Sequence, residues 1–559
     1  MQRIWNIAQP NHKLQKALCQ ELGISPILAN LLINRMIKNV EEAERFLNPT
    51  LASLFDPYQL PDMPKAVERL KRAIAKKEKI LIFGDYDVDG LTAVALLESQ
   101  FLKLGLKALH YIPHRVKEGY GLNKEAIDFA SQHNVKLLLT VDCGISNTEE
   151  IEELCRRHID VIVTDHHEAR DERIPACTAV IDPKRYDSVY PYRDLAGVGV
   201  AYKLAQCITQ ETLEDELDLV LLGTVADMVP LTGENRILVK NGLECFYRTK
   251  KVGLQALIEE SGLKSISTTS ISYILAPRIN ASGRVDSAHY SLELLLTHSE
   301  SRARDLAKLL SRHNQERQRL ERKILEEAQD LIGREVNFKE HNVIVLAKEG
   351  WHQGVLGIVA SKIMDRFYRP TIVISLSDGL CRGSCRSIKN FHIFDALWDA
   401  RDLLENFGGH QHAAGLSIHR DKVPEFKHRI NHLAKKRMRI EDLLPSLEID
   451  MELSLADLNE KLIRDIKALE PFGYGNPAVI FYTPALRLKG SPKILSKDTL
   501  RFWCTDAEFT YPAVGFGMSS LYNSLTEAKA FDLIYTPTLD DWQPQTIQLE
   551  IKDIRFLKS

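Results

Sequence analysis

The chain contains no run of about 18 uncharged apolar residues, so no membrane span is expected. It contains no CxxC pair. Its nine cysteines are odd in number and scattered, which fits reduced thiols in a cytoplasm rather than a disulfide framework. It has almost no net charge, −3 from 73 basic and 76 acidic side chains. No global basic field announces a nucleic-acid partner, and any polyanion site must be a local patch. The opening stretch, MQRIWNIAQPNHKLQK, lacks the apolar core of a signal peptide. No GxxxxGK followed by Ser or Thr is present, so nothing points to an ATP motor. GVGVAYK (197–203) lacks the third glycine of a dinucleotide fingerprint. There is no internal repeat and no low-complexity segment.

What is present is length. A chain of 559 residues is too long for one core, so several domains are expected. Residues 1–50 read as short helices with a Pro-rich exit. Within 51–295, apolar strands alternate with helical patterns, with strands expected at Lys79–Phe83, Ala108–Ile112, Val135–Val141, Val161–Thr164 and Ala179–Ile181. That alternation predicts an α/β domain with a mainly parallel sheet. Residues 296–335 predict one long charged helix, capped by Thr297 with Glu300 and stopped at Gly333. Its apolar stripe, Leu306, Leu309, Leu310, Leu320, Ile324, Leu325, Ala328, Leu331 and Ile332, is broken in the middle. Residues 336–440 alternate again and predict a second α/β domain, with a glycine-rich stretch late in it. Residues 441–559 carry strand composition and predict a small five-stranded β-barrel.

The chemistry gathers at strand ends. In a parallel sheet, functional groups collect past the carboxyl ends of the strands. KILIF runs into GDYDVDG with Asp85, Asp87 and Asp89; VKLLLTV runs into Asp142; DVIVT runs into Asp165-His166-His167. Asp227 ends the apolar stretch LDLVLLGTVADMVPL, where an acid is costly unless paired or ligated. A lone DxD is usually a solvated turn and a lone His-His usually a surface pair. Four such groups in one domain make that reading improbable. Oxygen ligands with one or two imidazoles suit Mg²⁺ or Mn²⁺, and the absence of ligating thiols argues against structural zinc. Two ions about 3.5–4 Å apart, bridged by a carboxylate, are the usual apparatus for in-line attack on a phosphoryl group.

In the order GDYDVDG, VDCG, VTDHH and LGTVADMVPL, these segments resemble the metal-binding motifs of the DHH phosphoesterase superfamily. RINASGR (278–284), WHQGVLGIVASKI (351–363), GSCRS (383–387) and GGHQHAAG (408–415) resemble its bacterial single-strand-specific 5′→3′ DNA exonucleases. PFGYGNP (471–477) and the β-rich tail resemble their OB-fold module. The resemblance covers nearly the whole chain. It implies a DHH domain, a linking helix, a DHHA1 domain and an OB domain, with the first two domains closing around a channel for single strands.

It further implies Asp87, Asp89, Asp142, His166 and Asp227 as ligands of two Mn²⁺ or Mg²⁺ ions, with Asp142 bridging. Asp85 is the extra acid of the exonuclease motif. Relatives acting on small nucleotides have a histidine where Phe83 stands here. Asp165 and His167 suit a supporting role or contact with the scissile phosphate. Ser384 and Arg386 resemble the 5′-phosphate contacts, since a hydroxyl and a forked guanidinium suit a terminal phosphate. Arg115, Arg278, Asn280 and Arg284 are further cleft candidates. Gly408, Gly409 and His410 resemble a loop reaching the scissile phosphate, with His412 beside it as a packing residue.

Cys381 and Cys385 read as free thiols. Trp503, Phe509, Tyr511, Phe516, Trp542 and Phe556 are split between base stacking and barrel core. The expectation is a monomeric, cytoplasmic exonuclease on single-stranded DNA that releases 5′-mononucleotides. The resemblance adds a helicase and a single-strand-binding protein as partners in recombination and repair. A phosphodiesterase for very short oligonucleotides or cyclic dinucleotides, and a non-catalytic scaffold, are the competing readings. The β-rich tail argues against the first and the intact acidic set against the second.

Overall fold

The computed structural model describes residues 3–115, 117–169, 173–495, 498–540 and 546–557. Five parallel strands form the first sheet, in the order Leu109–Tyr111, Ile80–Gly84, Leu137–Val141, Asp160–Thr164 and Ala179–Ile181. Every residue of Ile80–Gly84 and Leu137–Val141 is buried, because helices cover both faces. One face packs on Met63–Ala75, Val88–Lys103 and Gly197–Thr209, and the other on Lys124–Gln132 and Thr148–Arg156. The first central strand extends to Gly84 rather than Phe83, because Gly84 pairs in register with Val141.

The linking helix is a single element, Glu300–Glu335, about 54 Å long at 1.5 Å per residue. Two details differ from expectation. Ser299 caps it, accepting from the Arg302 amide, while Thr297 stands outside and accepts from the Ser299 amide. Gly333 does not stop it: Ile332 is buried in the next core, and that packing carries the last turn through the glycine. The break in the apolar stripe has a plain cause. Leu306 and Leu310 pack on the first domain, and Ile324, Ala328 and Ile332 on the second. Between them the helix crosses from one core to the other and presents Asn314, Arg317 and Glu321 instead.

The second sheet has five strands, ordered Asn406–Gly409, Ala413–His419, Leu380–Arg386, Thr371–Leu376 and Ile344–Glu349. Only the last two are parallel. The glycine-rich stretch is therefore three antiparallel strands. Strands Phe481–Leu495, Thr499–Thr505, Thr510–Phe516, Ile547–Phe556 and Phe531–Leu539 pair in that order, and the last pairs back to the first, closing a five-stranded barrel. The N-terminal helices do not stand apart. Leu18, Leu28, Leu31 and Leu32 share one core with Phe481, Phe502 and Phe531 of the barrel, and Ile4–Ile7 pairs with Ser446–Ile449. Arg236 ties this unit to the first domain through the carbonyls of Phe46, Ala468, Leu469 and Glu470.

Candidate active site

The acids converge because each lies just past a strand or helix end. Asp87 caps helix Val88–Lys103 and accepts from the amides of Asp89 (3.0 Å) and Gly90 (3.2 Å). Asp89, in the first turn of that helix, accepts from the amides of Gly197 (2.6 Å) and Val198 (2.8 Å) at the start of helix Gly197–Thr209. GVGVAYK thus has a site role after all, as a helix N-terminus holding an acid. Asp142 follows its strand with φ 61°. A Cβ at residue 197 would lie 2.7 Å from the Asp142 carboxylate, and one at 223 would lie 2.8 Å from that of Asp89. Glycine at those two positions lets the helices approach the acids closely.

His166 Nε2 lies 3.1 Å from Asp142, 3.6 Å from Asp227 and 3.9 Å from Asp89. Three groups of ligand atoms each fit within 4.8 Å: Asp85, Asp87 and Asp142; Asp89, His166 and Asp227; and Asp142, His166 and His167. Asp142 belongs to two of them. Burial and mutual repulsion push Asp85, Asp142 and Asp227 well above the usual carboxylate range, and push Asp89 up to about 7. Burial, reinforced by His167, pushes His166 well down and keeps its imidazole neutral. Oxygens of Asp85 and Asp142 and both nitrogens of His166 are buried and make no hydrogen bond of good geometry, Nε2 and Asp142 facing each other only as an ion-pair contact. Orphaned oxygens and a neutral imidazole, all of one electrostatic sense, form a donor set that fits Mn²⁺ or Mg²⁺.

Asp165 differs. Its carboxylate accepts from the amides of Ile145, His166 and His167, and from His167 Nδ1 at 2.8 Å. Burial works against its charge, but His167 and the amides outweigh it and hold the group at about 2. Its lone pairs are used, so it orients His167. Tyr120, not singled out from sequence, also reaches His167 Nδ1 (3.1 Å). Phe83 is buried in the core on Tyr111, so the aromatic replaces a polar group by packing, while Asp85 sits in the cluster.

A cleft of about 660 Å³ opens between the two α/β domains. Tyr86, Arg115, Tyr120 and His167 line one wall; Ser384, Gly409 and His410 are on the other. Arg284 donates across the domains to the Gly354 carbonyl (3.1 Å). Burial and the charges of Arg115, Arg317 and Arg386 push Arg284 down to about 9. Arg386 is lowered by burial and by Arg115. Helix Leu356–Phe367 starts against this cluster: a Cβ at Gly357 would lie 2.8 Å from Arg386 and 3.1 Å from Ser384. Four arginines and a helix N-terminus converge on one place, as an anion site requires. Sequence reasoning missed Arg317 and this helix start. The signals were the polar break in the long helix and the glycine in WHQGVLG.

Asn280 lies one turn before Arg284, and its buried Oδ1 has no hydrogen-bond partner. Arg278 is not brought to the cleft lining; it donates to the Ile274 carbonyl in the preceding turn, near Glu260. Gly408, with Gly409 at φ 141°, forms a hairpin edge, and the His410 amide closes it onto Ala413 (2.8 Å). His412 is exposed rather than packed. Cys381 and Cys385 are buried free thiols. In the barrel, Trp503 and Phe516 are exposed, while Phe509, Tyr511 and Phe556 pack on the core; Trp542 lies outside the described residues.

Comparison with known proteins agrees in order and extent. The family described as DHH family, N-terminal domain, matches residues 79–224, the DHHA1 domain 340–436, and the RecJ OB domain 449–553. The single-stranded-DNA-specific exonuclease RecJ of Bacillus subtilis is 36% identical, covering 98% of this chain and 70% of its own length. That of Escherichia coli is 34% identical over 82% of this chain and 83% of its own. The crystal structure of RecJ in complex with Mn²⁺ from Thermus thermophilus superposes with a TM-score of 0.85 at 29% identity. It covers all of this chain and 80% of that one.

Proposed function

The chain belongs to the RecJ family of single-stranded-DNA-specific exonucleases, and on that premise we propose that it hydrolyses single strands from the 5′ end, releasing 5′-mononucleotides. It is a metal-dependent DNA hydrolase with DHH, DHHA1 and OB domains. The observation that carries the polarity is the placing of Ser384 and Arg386 at the start of helix Leu356–Phe367, on the cleft that Arg115 and His167 also line. A terminal phosphate fits the arginines, and the next phosphate then reaches the acids.

Asp87, Asp89, Asp142, His166 and Asp227 would hold two Mn²⁺ or Mg²⁺ ions, with Asp85 in the same group as Asp87 and Asp142. When bound, two such ions neutralise charge building on the scissile phosphate and make water acidic enough to attack at neutral pH. The chain's own groups do the positioning. Ser384 Oγ and Arg386 donate to the 5′-phosphate, and Arg115 and Arg284 complete its charge balance. Asn280 supports Arg284. Asp165 and Tyr120 fix His167 through Nδ1 and leave Nε2 to donate to the scissile phosphate. Gly409 and His410 close the opposite wall. We divide the chain at residues 50, 295, 335 and 440, the first segment sharing its core with the last. Among the described residues, no helix is long and apolar enough to cross a membrane. We place the enzyme in the cytoplasm as a monomer, working with a helicase and a single-strand-binding protein in recombination and repair.

The test is digestion of labelled DNA with Mn²⁺ or Mg²⁺. Single strands should be degraded, blunt duplex spared, and chelator should stop the reaction. Chelator-insensitive cleavage, or equal attack on duplex, would refute the reading.

A further inference from the structure

Tyr86 stands between Asp85 and Asp87, two acids of one ligand group. As a mere spacer between them, any residue would serve. Its ring packs on the first domain's core and lines the cleft wall beside Arg115. The Arg115 guanidinium lies over the face of that ring, 4.7 Å from its centre. That is within the roughly 6 Å over which an aromatic quadrupole attracts a cation. The charges of Arg115 and Arg284 both act on the Tyr86 phenol. The backbone beneath the ring is packed tightly. A Cβ at Gly90 would lie 2.6 Å from the Asp85 carbonyl, and one at Gly283 would lie 3.4 Å from the Tyr86 carbonyl. Asp87 then caps the helix that follows.

Arg115 has no such support of its own. It sits in the loop between Leu109–Tyr111 and Lys124–Gln132, which turns at Gly119 and Gly121 with φ 88° and 85°. Among the described residues Arg115 forms no ion pair, so the ring is what holds its guanidinium. An arginine loses rotamer freedom when it grips a ligand, and one already laid on a ring has lost it beforehand. Ser384 and Arg386 come from the second sheet, whereas Arg115 and Tyr86 belong to the first domain. Tyr86 also shares its segment with Asp85 and Asp87, so one stretch of chain ties the end-binding arginine to the acids. We propose that Tyr86 is a positioning residue for the 5′ end of the strand. Its ring holds Arg115 against the acidic motif, so that the first domain captures the terminal phosphate in register with the cut before Ser384 and Arg386 close over it.

This inference rests on the exonuclease reading, and the experiment separates the two. Full-length wild type, Tyr86→Leu, Tyr86→Phe, Arg115→Ala and the Tyr86→Leu/Arg115→Ala double variant are first matched for thermal unfolding. They are then compared with Mn²⁺ on single strands of one sequence that end in a 5′-phosphoryl or a 5′-hydroxyl group. Tyr86→Leu keeps an apolar side chain on the core and removes the aromatic face. It should raise KM for the phosphorylated strand about fivefold to tenfold, with a smaller change in kcat, and leave KM for the hydroxyl strand in place. Tyr86→Phe keeps the face and should keep the wild-type ratio of the two KM values. In the Arg115→Ala background, Tyr86→Leu should change that ratio no further, because the ring acts through the arginine. Tyr86→Met, which fills the same space flexibly, repeats the test if leucine lowers the unfolding temperature. An unchanged ratio in the leucine and methionine variants, or equal loss on both strands, would overturn the positioning role. So would a phenylalanine variant as poor as leucine, or additive effects in the double variant. Wild type inactive on both strands would overturn the exonuclease reading itself.

Discussion

The acidic cluster and the arginine cluster share a problem of opposite sign. Asp85 and Asp142 are buried and Asp227 is half-buried among like charges, and all three are driven toward their neutral forms; Arg284 is lowered among other arginines. Arg317 alone of the four arginines is paired here with a carboxylate, Glu321 (2.8 Å), while Arg284 and Arg386 are lowered by burial and like charge. They differ in construction. The acids come from strand and helix ends of one domain, so one folded sheet suffices to assemble them. The arginines come from a loop, two helices and a strand of the second sheet, so they meet only when the domains close on the long helix. The acids are preformed for cations, and the arginines are completed by closure for a phosphate.

The largest expected effect tests the first half of that contrast. Asp142→Ala should lower cleavage by about 10³-fold or more, because it removes the shared ligand, while single-strand binding persists. Single-turnover cleavage and anisotropy in chelator measure the two parts; an active variant would remove the bridging role.

Arg386→Ala tests the other cluster. Hydrogen bonds to charged groups contribute about 1.5–3 kcal/mol, so the preference for 5′-phosphoryl over 5′-hydroxyl strands should fall roughly tenfold to hundredfold. Equal loss on both strand types would assign the arginine to some other task.

A smaller effect is expected from Gly197→Ala, whose Cβ would press on Asp142 from 2.7 Å. Half-saturating Mn²⁺ should rise about tenfold, with the maximal rate less affected. Unchanged Mn²⁺ dependence would mean the helix start is only a structural neighbour.

The smallest effect concerns stability. Asp85→Asn relieves like-charge repulsion, so in chelator it should raise stability by about 1 kcal/mol, and Mn²⁺ should reverse the ranking. Differential scanning with and without Mn²⁺ reads this; a variant less stable in chelator would show that the acid is paired.

The two clusters were unequally legible in the sequence. Period-two aspartates after an apolar run, and acids at three further element ends, mark the first cluster because it is built from local strand-end geometry. Arg284 and Arg386 could be proposed from resemblance, but their meeting with Arg317 depends on a long helix crossing between two cores, which no local pattern encodes. The same limit explains Ser299 capping in place of Thr297, and a helix that runs through Gly333. It also explains the hidden role of GVGVAYK: the fingerprint is absent, and only packing shows that the helix start serves Asp89. The late glycine-rich stretch reads without strands in the sequence because its strands pair over long range and carry little apolar alternation.

The account stands most directly on polarity. A single strand would be labelled at its 5′ end or its 3′ end and digested with Mn²⁺, alongside a 3′-labelled strand whose 5′ end is blocked. Release of labelled mononucleotide from the 5′ label at the earliest times, with a slowly shortening ladder from the 3′ label, is the predicted result. A shortening ladder from the 5′ label, or digestion that a 5′ block does not slow, would contradict it.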